Sequence, residues 1–400
     1  MRKYLVLIIL ASTCSLYAQD SWQQLDSVNG PSKGSCTAFV IQGEGFIVGG
    51  LDDFGFKRKM YSYDPFQNDW DDELSLGGLN GSGLDRASAT SFSINDKGYV
   101  CLGQGQTNPY FKDLWEYNHE TEAWTQKADF IGTARRQAIG FSVDNFGYVG
   151  TGQDAAGLCN DFYSFDPATN TWEQLNDFPG TPRRQAVGFA MGGEGYVGTG
   201  DDGVLRKDFW MYQPSTDTWI QKADFPGTAR AGATGWGVFP TGFIATGEDI
   251  NFEYKKDVWE YNYFSNSWIQ RADLPGSARK NAISFVIDGI AYLGTGFNGT
   301  FMDDFYSYTG IVGLKDEIIA SVEAFPNPTT DRFIIKSKVP LRPDQLEIYS
   351  ITGQNVSSNF NFVSTPEGGE INCTNAVTGN YIVRIHVDNQ QVLNCKLTKI

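Results

Sequence analysis

Gly147-Tyr148-Val149-Gly150-Thr151-Gly152 recurs as Gly195-Tyr196-Val197-Gly198-Thr199-Gly200, and looser copies stand at Gly45–Gly50, Gly98–Gly103, Gly242–Gly247 and Ala291–Gly296. A tryptophan follows each of the first five cycles. Trp70, Trp124, Trp172, Trp219 and Trp268 are 54, 48, 47 and 49 residues apart. A fixed period of about 50 residues is the mark of stacked, equivalent units, none of which buries its apolar face alone.

Each unit reads as four short strands. In the third, these are Ala138–Val143, Gly147–Gly152, Asp161–Asp166 and Thr171–Leu175, separated by clusters of Gly, Asp, Asn and Pro. Four-stranded units of this length, set radially, make the blades of a propeller, whose edges are short and protected. The sixth unit, Asn281–Tyr308, has no tryptophan strand of its own. Ser21-Trp22-Gln23-Gln24-Leu25 matches Thr171-Trp172-Glu173-Gln174-Leu175, so the N-terminal strand is expected to complete the last blade and close a six-bladed ring.

Paired small residues end the second strand, Tyr-Asp-Pro or Phe-Asp-Pro follows (Tyr63-Asp64-Pro65; Phe165-Asp166-Pro167), and then Trp. On this signature residues 21–309 resemble kelch repeats of the galactose-oxidase central-domain type. The fold class expected is all-β: a six-bladed kelch-type propeller over residues 19–309, then a small C-terminal β-sandwich. Beyond Tyr308 the repeat stops. Gly310–Glu317 reads as a linker, and residues 318–400 change to alternating apolar strands at Arg332–Ile335, Leu346–Ile351, Tyr381–Val387 and Gln391–Thr398. Phe325-Pro326-Asn327-Pro328-Thr329 opens this segment. Ile348–Gly353 and Gly379–Arg384 follow, and Lys396–Ile400 ends it. In that order the motifs resemble the C-terminal sorting domain of type IX secretion in Bacteroidetes. The resemblance implies a secreted or outer-surface protein that meets the export machinery through residues 318–400.

Residues 1–18 read as a signal peptide: Arg2 and Lys3, the apolar run Tyr4–Leu10, and Ala18 before the expected cut. That run is too short to span a bilayer, so no transmembrane segment is expected in the mature chain. Ala11-Ser12-Thr13 before Cys14 is a poor match to lipoprotein processing. The net charge of −16 repels phosphate backbones and argues against nucleic acid as a partner. Cys36 and Cys101 stand where sister units carry Ala and Gly, which suits small buried thiols. Cys373 and Cys395 share the tail, where an oxidising compartment would permit a disulfide. The copper oxidases of this fold use two His and two Tyr, whereas this chain has two histidines in all: His119 after the third strand of unit two, and His386 in the tail. That distribution rejects copper-radical chemistry. No cofactor, metal site or catalytic residue is assigned.

Lys33, Arg86, Arg135, Arg183, Arg230 and Arg279 each precede the first-strand aromatic of their unit by six positions. A ring of cations would cradle an anion. A feature present in every blade reads better as architecture, with each Arg paired to the Asp that opens the third strand (Asp113, Asp161, Asp208, Asp257, Asp304). Unit one departs, with Lys33 and Lys59 at these places. Ligand contacts are sought where the blades differ. Loops between second and third strands carry Phe54, Phe56, Tyr110, Phe252, Tyr254 and Phe301 in units one, two, five and six, which are neighbours round a closed ring. Units three and four carry instead Arg136-Gln137 and Arg184-Gln185. Aromatic faces stack on sugars or grip side chains, and Arg and Gln hold carboxylates and hydroxyls. Asp52, Asp53, Asp154, Asp201, Asp202, Glu248 and Asp249 read as solvated acidic surface rather than a calcium site. The expectation is a non-catalytic binding module for glycan or protein. Two alternatives stay open: a carbohydrate-active enzyme similar to the sialic-acid mutarotases of this fold, and a structural or adhesive surface protein.

Overall fold

The computed structural model describes residues 20–81, 84–309, 323–325, 329–336, 346–351, 353–365, 368–386 and 392–400. The leader at 1–18, Cys14 and the linker at 310–317 lie outside the described residues.

Six four-stranded antiparallel sheets follow one another, each ordered a-b-c-d. Blade three is typical: Ile139–Val143, Phe146–Gly150, Phe162–Asp166 and Thr171–Gln174, within two residues of the strands read from the repeat. Blade six takes Ile283–Ile287, Ile290–Gly294 and Phe305–Thr309 from the end of the repeat and Ser21–Leu25 from its beginning. Trp22 pairs with Tyr308 and Gln24 with Tyr306, so the N-terminal strand closes the ring.

The core lies between blades, not within them. Phe141 and Tyr148 of blade three pack on Phe162 and, across the gap, on Tyr212 of blade four. The Gly-Tyr-Val motif follows from this packing. A Cβ on Gly147 would stand 2.2 Å from the Phe92 ring of blade two, and one on Gly45 would stand 2.2 Å from Phe285 of blade six. Only glycine admits the neighbouring ring at that distance.

The repeated tryptophans stitch blade to blade. Each indole N–H donates to a carbonyl just past the d strand of the preceding blade: Trp172 to Ala128 at 3.0 Å, Trp70 to Asp26 at 3.1 Å and Trp22 to Ala272 at 3.0 Å. Trp124, Trp219 and Trp268 do the same with Leu74, Asn176 and Ala223. Replacing Trp172 by Phe keeps the ring in its inter-blade slot and removes one such bond. The expected loss is about 1 kcal/mol in denaturant unfolding.

The tail forms two sheets, one of Glu323–Phe325, Arg332–Lys336, Gly368–Asn372 and Asn361–Thr365, the other of Leu346–Ser350, Gly379–His386 and Val392–Lys399. Phe333, Ile335, Ile348, Ile371, Val383 and Leu397 fill the core between them. Cys373 is buried there as a free thiol.

Candidate functional site

Two sets of loops share one face: those entering strand a and those joining strands b and c. Backbone bridges join them directly, Arg136 to Gln153, Arg184 to Asp201 and Lys280 to Phe297. We call this face the mouth. The a–b and c–d turns form the opposite face.

Just beneath the mouth the backbone makes a collar. Ser88 donates its N–H to Ser35 O, Gln137 to Ser88, Gln185 to Gln137, Gly232 to Gln185, Asn281 to Gly232, and Ser35 to Asn281, over 2.8–3.1 Å. All six residues hold left-handed φ angles between 54° and 64°. Gln137 and Gln185, expected as ligand contacts, are thus links in this collar. The Gln185 amide reaches the Asn281 side chain at 3.3 Å, and Gln137 Oε1 is buried with no protein partner.

The ring of cations is built into the wall. Arg135, Arg183, Arg230 and Arg279 are fully buried and make paired bonds to Asp161, Asp208, Asp257 and Asp304. Arg86 does the same with Asp113, at 2.7 Å to each oxygen. Arg183 shows the full pattern: Nε to Thr181 O at 3.0 Å, Nη1 to Thr199 O at 2.9 Å, Nη2 to Thr181 Oγ1 at 3.1 Å, and both Nη atoms to Asp208. Every guanidinium N–H is used, which a lysine ammonium cannot imitate. In blade one Lys33 instead donates to Asn29 O at 2.8 Å and lies 3.9 Å from the Tyr61 ring centre. None of these six cations offers an anion cradle.

The second arginines differ. Arg136 reaches back to Gln104 Oε1 of blade two and donates to Gln153 Oε1 at 3.1 Å. Arg184 donates to the same Gln153 oxygen at 2.8 Å and to Asp201 Oδ2 at 3.0 and 3.1 Å. The result is a continuous belt, Gln104–Arg136–Gln153–Arg184–Asp201, over blades two to four. The Arg184 side chain keeps 33% of its surface exposed. Lys280 and Glu248 form a second charged pair over blades five and six, at 2.6 Å.

Of the loop aromatics, Phe54 and Phe252 stand in solvent at 81% and 79% exposure. Phe56, Tyr110, Tyr254 and Phe301 are half-buried. Tyr110 lies 5.8 Å from the Arg136 guanidinium. Tyr254 and Phe301 both pack on Phe297, at 6.5 and 5.1 Å between ring centres. Phe297, Gln104, Gln153 and Lys280 are mouth residues that the sequence reading missed. Their signal is positional: Gln104, Gln153, Asp201, Glu248 and Phe297 each directly follow the glycine that ends the motif of their unit, and Lys280 follows Arg279 as Arg136 and Arg184 follow Arg135 and Arg183.

Of the acidic residues of this face Asp53 stands exposed, as the sequence suggests, and the other six are held within the loops. Asp154 Oδ1 accepts the N–H groups of Ala156 and Gly157, and Asp249 those of Asn251 and Glu253 while Lys255 pairs with it at 2.7 Å. Burial alone would raise the Asp202 carboxyl, but Arg206, the Thr181 hydroxyl and the Val204 N–H bring it down to about 2. These carboxylates build the loops. Among the described residues no group of three or more His, Cys, Asp or Glu is placed to hold a metal ion. His119 is on the opposite face, 4.0 Å from Glu44. The carboxyls that burial raises, Glu44, Glu194 and Glu260, lie on strands b and c of the blades and not in the mouth loops.

Comparison with known proteins agrees with the architecture. A family model described as the KLHDC2/KLHL20/DRC7 Kelch-repeats domain matches residues 35–235, and one described as the secretion system C-terminal sorting domain matches residues 323–398. No curated protein matches. A solved structure titled "Structure of YjhT" superposes with a TM-score of 0.60 over 72% of this chain and 99% of that one, at 17% identity, a likeness of fold alone. The tail match makes residues 323–398 a type IX sorting domain, which directs the chain to the cell surface or the outside of a Bacteroidetes cell.

Proposed function

The chain belongs to the kelch-repeat family, and from that premise we propose that it is an exported, non-catalytic binding protein that takes glycan or protein at the mouth of its propeller. The reading includes a leader at 1–18, a propeller at 19–309, a linker at 310–317 and the sorting tail at 318–400. One observation carries the function: the belt from Gln104 to Asp201, with Phe54 and Phe252 exposed in loops of the remaining blades. Amide, guanidinium and carboxylate groups held in sequence suit a ligand rich in hydroxyls or acids, and exposed rings suit its apolar faces.

A glycan array and a capture experiment with surface proteins, both using the secreted chain, test this. The double variant R136A/R184A is expected to weaken the best ligand at least tenfold. Phe54→Ala with Phe252→Ala should cost about thirtyfold, at roughly 1 kcal/mol for each stacked ring. Unchanged affinity in both variants rejects the mouth as the site. The alternative of a mutarotase-like sugar enzyme draws on the arginine pair and Asp201; catalysed interconversion of sugar anomers, followed by NMR, decides for it.

A further inference from the structure

The six blades serve as controls for one another, and on the face opposite the mouth blade five carries aromatics in both of its turns, where blade one has only Phe66, which stands exposed at 92%. The a–b turn of blade five is Phe239-Pro240, where the sister blades have Gln42-Gly43, Asn95-Asp96, Asp144-Asn145, Gly192-Gly193 and Asp288-Gly289. Its c–d turn carries Tyr263-Phe264, where blades three and four have Pro167-Ala168 and Pro214-Ser215. Both departures lie in turns beyond the strands, where Phe239 caps the core between blades four and five and packs on Tyr263 and Phe264, at 5.5 and 5.7 Å between ring centres.

The tail departs in a matching way. Along Gly379–His386, Tyr381, Val383 and Ile385 face the tail's own core, so strand alternation turns Ile382 and Arg384 to the outer side of the sheet. Tyr349 is on the same side, paired with Ile382. An outer sheet face that carries Tyr and Ile needs a cover. In the structure it has one: Tyr349 lies 6.1 Å from Phe239 and 5.7 Å from Phe264 between ring centres, and the Arg384 guanidinium lies 4.0 Å from the Phe264 ring centre. The backbones of Gly192 and Gly353 approach so closely that a Cβ on Gly353 would stand 2.2 Å from Gly192 Cα.

We propose that the turn face of blade five is a dedicated dock for the chain's own sorting tail. The tail rides on the propeller through Tyr349, Ile382 and Arg384 while it remains attached. The dock is on the face opposite the mouth, so the tailed chain is already competent to bind its ligand. Removing the tail uncovers Phe239, Tyr263 and Phe264 together.

Hydrogen exchange of the full secreted chain, read by mass spectrometry, tests the dock from both sides. Tyr349→Ser alters only the tail; Phe264→Ala gives blade five the residue that blade three has at 168. With docking, Tyr349→Ser speeds exchange at residues 262–266 about tenfold and leaves the equivalent turn of blade three, 166–170, unchanged. Phe264→Ala speeds exchange at residues 347–351 by a similar factor. Two results overturn the proposal. One is no change at 262–266. The other is an effect from the tail variant alone, or one equal in blades three and five, since either reports unfolding and not release.

Discussion

Deleting residues 20–27 is expected to abolish cooperative folding of the propeller, read as loss of its melting transition in circular dichroism. The segment is short, but the ring closes through it. It supplies the whole d strand of blade six, paired residue for residue from Ser21–Thr309 to Leu25–Phe305. Trp22 covers Tyr308 at 4.7 Å between ring centres, and Tyr308 is only 2% exposed. The deletion also removes both tryptophan stitches at the seam: the Trp22 donor to Ala272 and the Asp26 acceptor for Trp70. An internal d strand is tied to its blade by a short turn, whereas this one is joined only by pairing and burial. Domain stability is only about 5–15 kcal/mol, and removal of a large buried aromatic alone costs about 3–5 kcal/mol. Trp22→Ala, at a half-buried position, should cost about half of that and leave a folded protein with a lower midpoint. A deletion variant that melts like the parent would mean that the ring is held without its closing strand.

What the sequence made legible was what the fold repeats. Trp172, Arg135 and Gly147 each meet the same demand in several blades, so their spacing alone announced strand, staple and close approach. The closing strand could be found because Ser21–Leu25 answers a gap in that pattern. The tail was half read. Its apolar strands stood out, while Asn361–Thr365 and Gly368–Asn372 are short and polar and were missed. At the mouth, the doubled arginines and loop aromatics were visible as departures from the repeat. Their partners were not, because Arg136 reaches a glutamine 32 residues upstream in another blade, a contact that exists only after the ring closes. The acidic residues misled for a related reason: Asp154 and Asp249 hold N–H groups two to four residues on, and net charge does not register such turns.

Arg135→Ala should destabilise the propeller by about 3–5 kcal/mol at neutral pH, the range for breaking a buried ion pair by removing one partner. The guanidinium is fully buried, bonds Thr133 O at 3.0 Å, Thr151 O at 3.1 Å and Thr133 Oγ1 at 2.8 Å, and holds Asp161 with two contacts. Its own carbonyl accepts the Gly103 N–H of blade two at 2.9 Å, so the residue joins two blades. Losing it strands Asp161 with only Tyr163 as a side-chain donor, at 2.9 Å. The pH dependence separates this from a simple cavity. Burial would raise the Asp161 carboxyl, but bonding and charge from Arg135 hold it below its ordinary value. A carboxyl depressed in the folded state adds stability that is present above its unfolded value of about 4 and is lost as pH falls through the folded value. Asp208 and Asp257 are depressed in the same way by Arg183 and Arg230, so the native protein should lose stability steeply below about pH 4. In Arg135→Ala the Asp161 contribution changes sign: protonation then relieves an unpaired, half-buried charge, and the gap to the native protein narrows on acidification. Arg135→Ala with Asp161→Asn should recover part of the neutral-pH loss for the same reason. Melting curves of the three proteins between pH 3.5 and 7 measure this, and a gap independent of pH would assign the role of Arg135 to packing instead of charge.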